Sequence, residues 1–385
     1  MEAIVIGGLH HNTLGVVRSL GEDGEMQINI KVLLIGQIDR DKNIISESRY
    51  INKQNIYYLE RATDIPEWLV NNGTRNEKQS VVICCTDGSA EQVISNYDKL
   101  KNCYSLPSVN FDITKLMSKI TQDVIASECG FLVPKWEVVK KGEATNWNIF
   151  PCITKPEKSV QGKGKGDIHI ATSREELNAY LKKIKAENVQ IQEYLEKDFE
   201  YQLIGCSLND GKTLIIPGYT KIIRQPPNTN TGYLVLSPIE NLNYNSDVVE
   251  RFLSMIGYNG LFSLEFIRDK KGRDYFLEIN LRNDGNAYCV QTAGVNLPSI
   301  WCKYAVLGEV PNFKESISKP LFFMPDFFDM KSGIKSEGLF RWGYQFVTAK
   351  SHSLFNLKDM GPFIYEFKQR IRTYMRKIIR GYKND

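Results

Sequence analysis

The chain has 385 residues, 42% of them hydrophobic and 24% charged, with a formal net charge of +4. That length allows two or three compact cores, and so small a charge on so long a chain gives no ground for a nucleic-acid partner. Eight cysteines without a C-x-x-C pair, and only four histidines, offer no zinc-type cluster by spacing; buried free thiols in a reducing compartment are expected.

The first residues, Met1-Glu-Ala-Ile-Val-Ile-Gly-Gly, lack the basic and long apolar regions of a signal peptide and read as a strand running into a turn. No apolar run reaches the ~18 residues of a membrane span, so a cytoplasmic location is expected. Up to about residue 110, short runs such as Ala3-Ile-Val-Ile6, Ile30-Lys-Val-Leu-Leu-Ile35 and Val81-Val-Ile-Cys-Cys85 alternate with helix-like stretches. This pattern predicts a parallel sheet covered by helices. Gly7-Gly8 and Asp87-Gly88 then fall at strand C-termini, the ligand-binding edge of open α/β sheets, although the glycines do not fit G-x-G-x-x-G.

Ile113 to Glu128 has helical apolar spacing, with Gly130 placed as its C-terminal glycine. Strands are predicted at Trp136–Val139 and Pro151–Pro156, then a basic glycine-rich segment, Ser159 to Gly166. Ser173-Arg-Glu-Glu176 is a capping box opening a helix through Lys185. Further strands are expected at Val189–Tyr194, Phe199–Ser207 and Thr213–Gly218, with Asn209-Asp210-Gly211 as the turn between the last two. Leu261–Ile267 and Asp274–Leu281 form a strand pair around Lys270-Lys271-Gly272, and Pro226 to Gly232 is the clearest loop.

Four features carry chemistry. Gly162, Gly164 and Gly166 alternate with Lys163 and Lys165, so backbone N–H groups and ammonium charges can converge on a phosphate, although this is not a Walker loop. Glu278 and Asn280 leave the same face of one strand, and Glu265 sits on the strand before it; such hard oxygen donors suit Mg²⁺. Arg282 continues that face toward a transferring phosphoryl group or a developing oxyanion. Lys221 and Arg224 add two cations before the proline-rich loop. Taken singly, each has a plainer reading: a solvated loop, a solvent-facing strand, a surface arginine paired with Glu278, a solvated charge pair.

Their order is more specific. A lysine on a helix, a lysine at a strand end, a glycine loop, Gln192-Glu-Tyr-Leu195, then Glu265 and Glu-x-Asn-x-Arg resembles the ATP-grasp superfamily from roughly Pro107 to Pro298. The resemblance implies an α/β protein with an N-terminal Rossmann-like parallel-sheet domain (1–110), an α+β ATP-grasp fold (111–310) with a glycine flap near 156–170, and a C-terminal extension (311–385). It implies ATP-phosphate lysines at Lys119 and Lys155, with Lys115 the other candidate on the helix. Ser118 stands where the family often has aspartate. It further implies a phosphate flap at Gly162, Gly164 and Gly166, adenine contacts at Gln192, Glu193 and Leu195, and a ribose acid at Glu200. Glu265, Glu278 and Asn280 would ligate Mg²⁺, with Mn²⁺ as an alternative. Arg282, Lys221 and Arg224 would be catalytic.

The implied activity joins a small-molecule carboxylate to an amine through an acyl phosphate. Carboxylase-like chemistry and a non-catalytic ATP-binding protein are the competing readings. Tyr219 to Pro227 resembles the matching part of ligases that decorate cell-wall or surface-polymer precursors, the D-aspartate ligases among them. His10 and His11, in the first strand-end turn, are left without a catalytic role. Tyr365 to Lys383 is a basic amphipathic stretch, either docked on its own domain or resting on an anionic membrane. The sequence does not fix the oligomeric state; a homodimer is one option.

Overall fold

The computed structural model describes residues 1–37, 42–73, 80–156, 168–184, 187–226, 231–312 and 316–381, without the side chains of Pro156 and 377–381. Gly162, Gly164 and Gly166 therefore lie outside the described residues.

The chain opens with β1 (Glu2–Gly7), α1 (His11–Gly21), β2 (Asn29–Ile35), β3 (Ile56–Leu59), α2 (Ile65–Asn72), β4 (Ser80–Cys84), α3 (Asp87–Ser95) and α4 (Tyr97–Leu100). The four strands pair in parallel in the order β3-β2-β1-β4. Ala3 and Val5 enter one buried cluster while Ile4 and Ile6 enter another, so both faces of β1 are covered and the strand reads as an unbroken apolar run. At its end a Cβ on Gly7 would lie 2.4 Å from Thr13 Oγ1 and 2.8 Å from the Cys85 Cβ. Only glycine permits that close turn into α1.

The expected helix over Ile113–Glu128 is two helices, α5 (Ile113–Leu116) and α6 (Lys119–Cys129). Ser118, at φ −80° and ψ 127°, is extended and breaks the run, which restarts with Lys119 in its first turn. Gly130 ends α6 in the left-handed region at φ 101°. A small antiparallel sheet follows, from β5 (Trp136–Lys140), β6 (Cys152–Pro156), β7 (His169–Ala171) and β8 (Asn188–Glu193), in the order β5-β8-β6-β7. The helix α7 (Arg174–Lys183) covers it, burying Leu177 against Val139, Cys152 and Ile191.

The largest sheet holds β9 (Lys197–Leu208), β10 (Thr213–Ile215), β11 (Gly218–Arg224), β12 (Tyr233–Pro238), β13 (Gly260–Asp269) and β14 (Asp274–Asn280), with α8 (Ser246–Ile256) before β13. The strand expected over Thr213–Gly218 stops at Ile215, and Gly218 begins the next one. Asn209, Asp210 and Gly211 take positive φ in the turn between β9 and β10. After β14 come α9 (Tyr288–Thr292), α10 (Leu297–Leu307), β15 (Leu321–Met324), α11 (Phe327–Glu337), α12 (Leu339–Thr348), β16 (Ser351–His352) and α13 (Gly361–Gly381). The order is β14-β13-β9-β11-β12-β15-β16, with β10 paired to β9, so the segment beyond residue 310 supplies two strands to this sheet. All eight cysteines are free and seven are buried. Among the described residues no helix is long and apolar enough to cross a membrane.

Candidate active site

Register builds the site. Glu265 on β13 pairs with Glu278 on β14, and Ser263 with Asn280, so both acids and the amide project from one face. Gln202 on β9 pairs with Glu265, and Thr220 on β11 pairs with Gln202, extending that face across four strands. The polar groups interlock: Gln202 Nε2 donates to Glu265 Oε1 (2.9 Å), and Asn280 Nδ2 donates to the same oxygen (3.1 Å).

Helix α6 lies against β14. Its Gln122 side chain accepts from Ile279 N (3.0 Å) and donates to Ile279 O (3.3 Å), fixing the helix on the strand backbone. Lys119 Nζ is thereby placed 2.8 Å from Glu278. One turn on, Asp123 accepts from Gln190 of β8 (3.1 Å), joining the helix to the small sheet. From that sheet Lys155 donates to Gln192 Oε1 (2.8 Å).

Burial and charge set the protonation states. Burial, with Glu278 and Asp284 nearby, pushes the Glu265 carboxyl up to about 8. Burial acts on Glu278 too, but Lys119, Arg282 and Lys155 outweigh it and hold that carboxylate below its usual range. Burial and the Lys119 charge bring Lys155 down to about 8, and burial takes Asp123 up to about 6. Two in-register carboxyls, one of them reluctant to ionise alone, are a donor set short of positive charge. They fit a divalent cation, and Lys119 supplies a positive charge at Glu278 here. No group of three or more His, Cys, Asp or Glu side chains with metal-binding geometry occurs among the described residues. Mg²⁺ takes one or two carboxylates together with substrate phosphates. Asn280 turns its oxygen to Arg282 Nη2 (3.0 Å), so its amide must turn over to ligate a cation.

Arg282 links the two halves of the molecule. Its Nε donates to Asp87 (2.9 Å) in the first turn of α3, and its Nη1 lies 3.4 Å from Asp284. Asp284 also accepts from Ser263 (3.0 Å). The strand ends of the N-terminal sheet thus close over the end of β14, where Asn12 Nδ2 bonds the carbonyls of Cys85 (2.9 Å) and Asn283 (2.8 Å). His10 caps α1, its Nδ1 accepting from Asn12 N (3.3 Å). Burial and Arg282 push the His10 imidazole below its usual range, and burial with His10 pushes His11, whose Nε2 is 3.1 Å from Thr231 Oγ1, further down.

Sequence reasoning passed over Asp123, Gln202, Asp284 and Asn286. Asn286 Nδ2 donates to Gln202 (2.9 Å), while its Oδ1 is buried without a partner among the described residues. Asp284 and Asn286 extend the Glu-x-Asn-x-Arg alternation by two and four residues, a signal present in the sequence.

The other expected residues divide. Glu200 shares the face of Gln202 and pairs with Lys197 (2.8 Å). Glu193 accepts from Lys135 N (3.0 Å), and Leu195 follows β8, half-buried. Lys221 is not brought to the acidic pair: it pairs with Tyr201, one residue out of phase with Gln202, and so leaves the opposite face with its ammonium 3.9 Å from the Phe199 ring centre. Arg224 does not face the site either. It is held by Asp329, Glu337 (3.5 Å) and Gln345 (3.1 Å) of α11 and α12, with Tyr233 under its guanidinium.

A Rossmann-like parallel sheet, followed by a small antiparallel sheet and a larger, mostly antiparallel one that face each other across this lysine and carboxylate cluster, is the architecture of the ATP-grasp fold. The chain is similar to D-aspartate ligase of Enterococcus faecium, 24% identical over 245 residues, covering 57% of each chain. The chain therefore spans little more than half the length of that relative. Among solved structures, it shares its fold with the ADP complex of purK, N5-carboxyaminoimidazole ribonucleotide synthetase, at a TM-score of 0.60 and 15% identity over 83% of this chain and 80% of the other. An L-amino acid ligase from Bacillus licheniformis aligns with a TM-score of 0.58 and 12% identity over 81% and 77%. No family model matches the sequence.

Proposed function

We propose that the protein is an ADP-forming ligase that joins a carboxylate to an amine through an acyl phosphate. The observation that carries this is the in-register Glu265–Glu278 pair, flanked by Lys119 and Lys155 and continued by Arg282 to the strand ends of the N-terminal sheet. ATP would lie between the small and large sheets, its phosphates toward Lys119 and Lys155, its adenine at Gln192, Glu193 and Leu195 and its ribose at Glu200. Glu265, Glu278 and Asn280 would hold Mg²⁺ (or Mn²⁺), which when bound neutralises phosphate charge.

A substrate carboxylate oxygen attacks the γ-phosphorus and the bond to ADP breaks. The amine then attacks the acyl carbon, phosphate leaves, and the amine nitrogen loses a proton. Arg282, fixed by Asp87 and Asp284, meets the negative charge that develops on the acyl group. The lysines align the phosphates. The segment with Gly162, Gly164 and Gly166 would close over them and exclude water, which would hydrolyse the acyl phosphate. Lys221 and Arg224 take no part in this scheme.

The similarity to D-aspartate ligase favours an amino-acid substrate, and the likeness of Tyr219 to Pro227 to ligases of cell-wall or surface-polymer precursors favours a role in cell-envelope or surface-polymer synthesis. Likeness to a carboxyaminoimidazole ribonucleotide synthetase favours a second reading, carboxylase-like activation of bicarbonate. Incubation with MgATP and pools of amino acids and small carboxylates tests both. Substrate-dependent ADP and phosphate, lost in Glu278→Ala, is the expected result. Turnover requiring bicarbonate alone supports the carboxylase, AMP with pyrophosphate overturns acyl-phosphate chemistry, and nucleotide binding without turnover on any pool points to a non-catalytic protein. Arg282→Ala is expected to lower turnover more than ATP affinity.

A further inference from the structure

The positive charge of the chain is concentrated at one end. Residues 361–385 carry seven Lys or Arg and two acids, net +5 against +4 for the whole chain, so the rest is net −1. Most of this segment is α13. Its first half is anchored: Phe363 stacks on Phe327 at 4.8 Å, Tyr365 donates to Lys42 O (2.8 Å), and Arg370 lies over Phe327 and Phe328. From Ile371 to Arg376 every residue is exposed.

Exposed apolar residues run along α13 from Ile364 to Met375. Ile364, Phe367, Ile371, Tyr374 and Met375 recur at helical spacing on one face, with Tyr374 67% exposed. Lys368, Arg372 and Arg376 follow one edge of that stripe at four-residue intervals, without a carboxylate partner among the described residues. The neighbouring α12 repeats the pattern. Trp342 and Phe346 turn toward each other, and Phe346 meets Phe355 and Phe363, while Phe340, Tyr344 and Val347 are exposed, Phe340 to 93%. Both helices are therefore fixed on one aromatic cluster and leave large apolar side chains uncovered.

We propose that this face docks on an anionic lipid bilayer, α13 lying in the interface with its apolar stripe among the acyl chains and its cations on the headgroups. Charge selects this occupant. Stripe-to-stripe pairing of two copies would bring two rows of lysine and arginine together, and a nucleic acid would not cover isoleucine, tyrosine and methionine. A bilayer with acidic headgroups satisfies both the stripe and its edges. The proposal is independent of the ligase reading, and its readout is not activity.

The full chain is floated with phosphatidylcholine vesicles containing or lacking phosphatidylglycerol. Binding to the anionic vesicles alone, weakened by added salt, is expected. Each bound cation contributes roughly fivefold in affinity, so the exposed double variant Arg372→Glu/Arg376→Glu should lose at least about 30-fold. Ile371→Asp should lose binding with an unchanged thermal melt, because its side chain supports no described contact. No binding to anionic vesicles, or binding that Ile371→Asp leaves intact, overturns the proposal. So does sedimentation equilibrium showing a dimer that Ile371→Asp makes monomeric, which would assign the stripe to a second copy.

Discussion

Lys155 is a cation held where cations are disfavoured. Burial and Lys119 bring its ammonium down to about 8, against the pull of Glu278, Asp123 and Glu200. The unfolded chain keeps that proton to a higher pH, so between about pH 8 and 10.5 it binds more protons than the folded protein. This group therefore makes stability rise with pH across that window. Nucleotide affinity moves the other way, since phosphate binds the charged form. Raising pH through about 8 should weaken ATP binding by up to about tenfold per unit. Titrations of the ligand-free protein check this: Lys155→Met should bind weakly with a shallower profile near pH 8, where only Glu265 still titrates, and Lys155→Arg should keep more of its affinity at the alkaline end. A wild-type profile that is flat there would remove Lys155 from the phosphate site.

At this scale the acidic cluster was legible. Alternation puts Glu278, Asn280 and Arg282 on one face wherever a strand forms, and the strand pair around Lys270-Lys271-Gly272 leaves little freedom in placing Glu265 opposite. Asp123 was not, because its importance comes from Gln190, which lies 67 residues away.

Elements decide which cations reach the site. Lys221 and Thr220 differ by one position, and only pairing fixes which of them shares the face of Gln202. A single sequence gives the alternation but not its phase relative to a strand 18 residues earlier. The same limit applied to Arg224, whose partners come from α11 and α12, elements that composition alone did not delimit. There Asp329 is fully buried and Arg224 is 10% exposed. Removing one partner of such a pair leaves the other charge uncompensated, so Asp329→Ala should destabilise by about 3–5 kcal/mol. If Arg224 is only a tie between β11 and these helices, nucleotide affinity of the folded variant should stay within about twofold of wild type. Denaturant melts and nucleotide titration on one preparation read both. A large loss of affinity without loss of stability would return Arg224 to the catalytic set. The break at Ser118 is a related case: apolar spacing continues through it, but an extended serine restarts the helix so that Lys119 opens the turn facing Glu278.

Across the whole molecule, the segment after β16 closes back on the first helix. Arg18 of α1 is completely buried; its Nε donates to Asp359 (2.9 Å) and its Nη2 to the carbonyls of Leu354 (2.7 Å) and Asp359 (3.0 Å). Asp359 also accepts from Ser48 Oγ and Arg49 N, both at 2.8 Å. One carboxylate therefore gathers three segments, the farthest pair separated by 341 positions. Arg18 Nη1 has no hydrogen-bond partner among the described residues, so within them the pair is not fully compensated. Arg18→Leu or Asp359→Leu alone should cost about 3–5 kcal/mol, because each strands a buried charge. The double variant should cost clearly less than the sum, since it removes both charges together. Because the pair joins the first helix to the segment after β16, wild type should melt in one transition with the N-terminal and larger sheets unfolding together. Each single variant should lower that transition or split it. A wild-type melt in two separate steps would mean that the Arg18–Asp359 clamp does not couple the parallel sheet to the rest, and that Arg282 and Asp87 meet across a joint that opens on its own.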